Sequence, residues 1–362
     1  MSIRVAIHAG QLLQKVPGGI GRYVAALLRE LPAHDVEPIA FGAGHRPAEI
    51  VNNAAWQDIG WPRDGLRYEA WHRLRFPSVR IDADLIHAPS LAVPPKDSRP
   101  LIVTVHDVSW LRHPQSTTER GAKFHQRGLE LTFRDADLVL CPSEFTRDEL
   151  LAEGYDGTRI RIARLGCDPA PPADDDVIDA AVTSLGIEGR FLLTVGTVEP
   201  RKRLNILVEA FNSLRRSHPD LQLVIVGPTG WGKIGRLDHP GVMQLGRLPW
   251  RDVDALYRRA QLCCIPSVYE GFGLPAAEAL ARGCPTIVTR GNALEEVVGD
   301  AGILIDSDDV LGTHDAIERV LEDARLRSDL ARRGPPRMAS MSWANTAREH
   351  AAIYRDLISG RS

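Results

Sequence analysis

The chain has 362 residues, with 44 Lys plus Arg against 47 Asp plus Glu and a formal charge of -3. That balance argues against a nucleic-acid binder held by a whole-surface positive field. The length suggests two domains, and 44% apolar residues suffice to give each a core, which excludes a disordered chain.

Short Val/Ile/Leu runs that end in Gly, Pro or Ser alternate with longer helical patterns, the signature of parallel sheets with crossover helices. The runs predict strands at 3–9, 36–42, 85–88, 101–106, 138–141 and 160–165. The stretch 168–176 is rich in Pro and Asp and reads as a linker. Strands are then predicted at 191–196, 222–227, 242–245, 262–265, 285–289 and 302–305. Two doubly wound α/β domains follow, 1–168 and 169–342, with a C-terminal helix at about 343–362 packing back on the first.

Asp82-Ala83-Asp84 and Asp135-Ala136-Asp137 each precede a predicted strand. A metal-binding D-x-D belongs beyond a strand's carboxyl end, so these acids read as turn residues. Ser143 reads as the N-cap of a helix starting at Glu144. Five cysteines without a C-x-x-C pair indicate neither a disulfide framework nor a zinc site, and a reducing compartment. Residues 2–8 read directly as a strand, without the apolar region of a signal peptide, and no uncharged apolar run reaches membrane-spanning length. A cytoplasmic protein is expected.

In open parallel sheets, ligands bind beyond the carboxyl ends of the strands. After the first strand, Pro17-Gly18-Gly19-Ile20-Gly21 opens a helix whose bare amides suit a phosphate or a sugar hydroxyl. The fourth predicted strand ends on His106-Asp107, a polar pair at a buried strand's tip. The strand 191–196 runs into Thr197-Val198-Glu199-Pro200-Arg201-Lys202-Arg203, where three basic side chains at a helix start make a receptor for a diphosphate. Lys202 is one of five lysines against 39 arginines. Farther on, Glu270-Gly271-Phe272-Gly273-Leu274-Pro275-Ala276-Ala277-Glu278 combines two glycines that let backbone amides approach a ligand with a proline suited to a first helical turn. Its two glutamates can bind hydroxyls at two points of one extended ligand.

That glutamate segment, with Gly196 to Lys202 before it and Gly283 to Val288 after it, resembles the retaining GT-B glycosyltransferases of glycosyltransferase family 4. The likeness extends over nearly the whole chain, through the Gly18-Gly19 loop, His106-Asp107 and the Ser342-Trp343 helix start. The resemblance implies two Rossmann-like domains facing across a cleft. It also implies a hexose, with mannose from GDP-mannose as the first expectation, passed from a nucleotide sugar to a glycan or lipid-linked glycan acceptor, with retention by front-face attack and without a metal or other cofactor.

By the same resemblance His106 and Glu270 are the catalytic candidates, His106 beside the anomeric carbon. Lys202 and Arg201 would hold the diphosphate and Glu278 the ribose. Glu270 and the Gly271–Leu274 segment, through the amides of Phe272, Gly273 and Leu274, would hold the sugar. Gly19 would lie near the phosphates or the acceptor, and Arg247 and Leu248 along the base. Many members carry an arginine where this chain has Thr197, and Arg201 or Arg203 would supply that charge. The segment 61–76, with four arginines and four aromatics, reads either as a peripheral contact with the inner face of a membrane or as an amphipathic helix covering its own sheet. A same-fold epimerase or hydrolase, and a non-catalytic sugar-nucleotide sensor, are the alternative functions.

Overall fold

The computed structural model describes residues 2–48, 50, 54–62 and 65–360. Arg63 and Asp64 of the 61–76 segment lie outside the described residues. The chain divides into two compact units, one of Met1–Val108, Glu119–Gly166 and Met341–Ser362, the other of Ser109–Thr118 and Cys167–Ser340.

The first unit holds a seven-stranded sheet of β1 (Ile3–His8), β2 (Val36–Gly42), β3 (Ala55–Asp58), β4 (Leu85–Ala88), β5 (Leu101–Thr104), β6 (Leu138–Cys141) and β7 (Ile160–Ile162), in the order 3-2-1-4-5-6-7. The second holds β8 (Phe191–Val195), β9 (Gln222–Val226), β10 (Val242–Gly246), β11 (Leu262–Ile265), β12 (Thr286–Thr289) and β13 (Gly302–Ile305), in the order 10-9-8-11-12-13. Every pairing is parallel. Every residue of β4, β5, β6, β11 and β12 is buried, which is why these strands read as mainly apolar runs, broken only by His87 and by threonines at strand ends.

The helices show the complementary spacing. Helix Gly18–Glu30 buries Tyr23, Val24, Leu27 and Leu28, one stripe at i, i+1, i+4 and i+5. Helix Glu144–Ala152 begins as expected at Ser143, whose hydroxyl accepts the Thr146 N–H at 3.1 Å. The Asp-Ala-Asp acids serve neighbouring strands. Asp84 Oδ2 accepts the Arg4 N–H at 2.7 Å, and Asp137 Oδ2 accepts the Leu101 N–H at 2.8 Å, so each carboxylate satisfies a backbone donor near the start of the strand beside its own.

Beyond the earlier ends of β5 and β7, three features depart from the sequence reading, the first being Ser109–Thr118, which was expected in the domain 1–168 and belongs to the second unit. β3, on the outer edge of β2, has an exposed Ala-Trp-Gln-Asp sequence with no apolar run to betray it. The linker is shorter than 168–176, because Asp174 caps a helix spanning Asp175–Ser184 and accepts the Asp176 N–H at 2.9 Å. Like charges that looked unfit for either core sit at a helix N-terminus, where the macrodipole favours them.

The C-terminal helix Trp343–Ile358 belongs to the first unit and packs against helix Gly18–Glu30. Its start crosses Gly166 so closely that a Cβ there would lie 2.3 Å from Trp343 N and 2.6 Å from Ser342 C. Those are backbone atoms and cannot rotate away. Gly166→Ala should therefore destabilise the first unit by about 1–3 kcal/mol, seen as a lower urea midpoint at unchanged slope.

Candidate functional site

In the second sheet β8 lies between β9, its successor in the chain, and β11, so the winding reverses between β8 and β11. Such a switch point opens a crevice beyond the carboxyl ends of the two strands. The loops leaving those ends are the two singled out by sequence, Gly196–Arg203 and Pro266–Gly273.

They meet through charge. Lys202 Nζ donates to Glu270 Oε1 at 2.5 Å. Arg201 Nη1 donates to Glu270 Oε2 at 3.0 Å and to the Tyr269 carbonyl at 2.6 Å, while its Nη2 donates to Glu199 Oε1 at 2.6 Å. The four side chains are between 3% and 14% exposed. Two cations and two carboxylates thus form a nearly dry, electrically balanced cluster, the condition under which buried charge is tolerated. Burial alone would raise the Glu270 pKa, but the charges of Lys202 and then Arg201 outweigh it and hold the carboxyl at about 2. Glu270 is therefore an anion at neutral pH and not a proton donor. The sequence reading gave Glu199 no role, and its signal was an acid one proline before a basic run.

Glu278 sits on the helix Leu274–Ala281 and is buried, where it accepts the Tyr257 hydroxyl at 3.1 Å. The helix starts at Gly273, with φ of +102°, and a Cβ there would lie 2.3 Å from Leu294 Cδ2, so both backbone and space call for glycine. Pro275 occupies the first turn as expected. Asp254 on helix Trp250–Arg259 ties this region down, accepting Arg258 Nε at 2.6 Å and Arg282 Nε at 2.8 Å. Gly271, Phe272 and Leu274 are buried around the turn. Leu248, half-buried, and Arg247, exposed, lie in the turn after β10, at the same edge of the sheet.

The other two candidates belong to the first unit. Gly19 lies in the first turn of helix Gly18–Glu30, where backbone amides lack helical partners. His106 is two residues past β5, and its Nε2 lies 2.9 Å from the Pro89 carbonyl. A carbonyl only accepts, so the ring carries its hydrogen on Nε2 and presents Nδ1 as acceptor. Burial lowers its pKa, against the opposing Pro89 carbonyl and Asp107. Among the described residues, groups of side chains able to hold a metal occur at His218, Glu318 and Glu322 and at His314, Asp315 and Glu318, outside these loops. All five cysteines are buried and none of them is in a disulfide.

The depressed Glu270 pKa fixes the sign of a stability effect. Between its ordinary 4.5 and about 2, the unfolded chain binds the proton that the folded one refuses, so stability rises with pH across that window. The contribution is complete above pH 4.5 and is lost as the pH falls through about 2, on the order of 3 kcal/mol in all. Thermal unfolding followed from pH 5 to 2 should show this acid limb, and Glu270→Gln should flatten it while lowering stability at pH 7, because Lys202 loses its counter-charge.

Comparison with known proteins agrees with the fold. Residues 181–337 match the family described as Glycosyl transferases group 1, and residues 17–170 the one described as Glycosyltransferase Family 4. The chain is 30% identical over 306 residues to the O-antigen chain mannosyltransferase B of Escherichia coli, covering 80% of this chain and 77% of that one. It is also 30% identical over 230 residues to a D-inositol 3-phosphate glycosyltransferase of Corynebacterium urealyticum, covering 57% of this chain and 53% of the relative, so it spans about half of that protein's length. Among solved structures, Anabaena HepE in complex with UDP and glucose superposes with a TM-score of 0.74 at 16% identity, over 98% of this chain and all of that one. The chain belongs to glycosyltransferase family 4, the glycosyl transferases of group 1, and is a glycosyltransferase built of two doubly wound GT-B-type domains.

Proposed function

We propose that the chain transfers mannose from GDP-mannose to a glycan or lipid-linked glycan acceptor, with retention of configuration and without a metal. The observation that carries this reading is the buried Lys202–Glu270–Arg201 cluster at the switch point of the second sheet, one short turn from Glu278. Departure of the nucleotide puts charge on a diphosphate, and cations already fixed in a dry site stabilise that charge with little reorganisation. Lys202 and Arg201 take the diphosphate by exchanging some of their carboxylate bonds for phosphate oxygens. Arg201 thereby supplies the charge absent at Thr197. Glu278 binds the ribose, and the turn before Leu248 lies along the base.

Glu270, held as an anion, accepts sugar hydroxyls together with the amides of Phe272, Gly273 and Leu274. It orients the hexose and does not attack it. His106 stands beside the anomeric carbon and Gly19 near the phosphates or acceptor. Mannose as the donor sugar is supported by the name of the Escherichia coli relative.

The acceptor side has its own surface. Leu66 and Leu74 of helix Gly65–Leu74, and Phe76 just beyond it, are about 70% exposed beside exposed Arg67 and Arg73. Trp71 and His72 of the same helix are buried, so it covers its own unit with one face and offers an apolar, basic one to an anionic bilayer. Among the described residues no helix is long and apolar enough to cross a membrane.

A thermal-shift screen with GDP, UDP and dTDP should show the largest rise in Tm with GDP, since a ligand bound only by the folded state stabilises it. A preference for UDP or dTDP overturns the donor. Lys202→Ala should weaken GDP binding by about 10- to 100-fold by calorimetry, and unchanged affinity moves the diphosphate elsewhere. His106→Ala and Glu270→Gln should abolish transfer from GDP-mannose. Sugar release or isomerisation at full rate without acceptor would favour a hydrolase or epimerase instead.

A further inference from the structure

Beneath His106 the first unit buries a chain of polar side chains drawn from four elements. Tyr354 Oη lies 2.8 Å from His87 Nδ1, and His87 Nε2 lies 2.8 Å from Thr104 Oγ1. Thr104 Oγ1 is 3.1 Å from Tyr23 Oη, which is 2.6 Å from His350 Nε2, and His350 Nδ1 is 2.7 Å from the Thr346 carbonyl. Tyr23, His87, His350 and Tyr354 are fully buried and Thr104 nearly so.

With both histidines neutral, hydrogen counting leaves one arrangement. The Thr346 carbonyl only accepts, so His350 carries its hydrogen on Nδ1 and its Nε2 accepts from Tyr23. With its one hydrogen given to His350, Tyr23 must accept from Thr104. The Thr104 hydroxyl, its own hydrogen spent, must accept from His87 Nε2, and His87 Nδ1 then accepts from Tyr354. Burial lowers the His350 pKa to about 4 and drives that of His87 well below its ordinary value. Every link is satisfied, and reversing any one leaves a contact without a hydrogen.

The chain touches the candidate reaction centre at Tyr23. Its ring meets the His106 imidazole edge-on, with centroids 5.2 Å apart and planes at 84°. Thr104 is the last residue of β5, two positions before His106. We propose that Tyr23 is a positioning residue for glycosyl transfer, its hydroxyl clamped between Thr104 and His350 so that its ring sets the His106 imidazole in place. This rests on the reading that His106 stands beside the reacting carbon. His350, carried by the C-terminal helix, acts through Tyr23.

Tyr23→Phe is the direct test, because it keeps the ring and removes only the hydroxyl. Histidine side-chain nitrogen spectra of the full chain, with His106→Ala to identify the signal, should show His106 as a single Nε2–H tautomer in the parent and as a tautomer mixture in Tyr23→Phe. With GDP-mannose, kcat should fall about tenfold at unchanged KM for the donor, the pattern of lost geometry and not lost binding. His350→Gln, whose amide can accept from Tyr23 and donate to Thr346, should keep both the tautomer and the rate, whereas His350→Leu should lose both.

An unchanged His106 spectrum in Tyr23→Phe, or equal behaviour of the two His350 variants, overturns the proposal. Failure of the underlying reading shows separately, as near-normal turnover in His106→Ala.

Discussion

The second unit depends on the pairing of Lys202 with Glu270 across the switch point. Each loop alone would carry an ion into a nearly dry crevice at a cost of several kcal/mol. Together, with Arg201 and Glu199, they form a neutral assembly that holds the carboxyl ends of β8 and β11 in register. The same neutrality makes the assembly responsive. On the proposed function, a diphosphate entering beside Lys202 and Arg201 would change the local charge, and the carboxylates that satisfied the cations would become available for hydroxyls. On that proposal one arrangement would link binding of a charged leaving group to orientation of an uncharged sugar.

The two units use one winding order in opposite electrostatic ways. Both sheets reverse direction beside a central strand, β1 in one and β8 in the other. Beyond β8 the crevice is lined by paired ions. Around β4 and β5 the buried polar groups are neutral and linked by hydrogen bonds, with Tyr23, His87, Thr104, His350 and Tyr354 all uncharged. On the proposed function the first arrangement suits a diphosphate, which needs fixed charge, and the second a neutral nucleophile, which needs shape and a ring held still.

How much of this was legible in the sequence follows from the range of each interaction. β4, β6 and β11 could be placed to the residue, because a strand buried on both faces is almost wholly apolar, with His87 of β4 the one polar exception among these three. The Glu270–Glu278 segment and the Lys202 turn were legible for a different reason: glycine, proline and charge at fixed local spacing reflect the backbone itself. β3 was not, since an exposed edge strand needs no apolar residues. Glu199 read as one more acid, because nothing local says that it is 2% exposed. The hydrogen-bonded chain under His106 was out of reach, since its members look like ordinary tyrosines and histidines until the fold brings four distant elements together.

The first unit is discontinuous in sequence, and this bears on when it can become active. Tyr23 and its partner His350 are separated by 327 positions, and His87 and Tyr354 by 267. On the ribosome, β1 to β7 emerge and can pair long before the helix Trp343–Ile358 exists. Until that helix arrives, Tyr23 lacks His350 and His87 lacks Tyr354, so the Tyr23 ring that meets His106 lacks one side of its clamp. That helix, which follows all seven strands in the chain, thus completes the first unit, so a chain cut before it can pair the strands while the links at Tyr23 and His87 stay open.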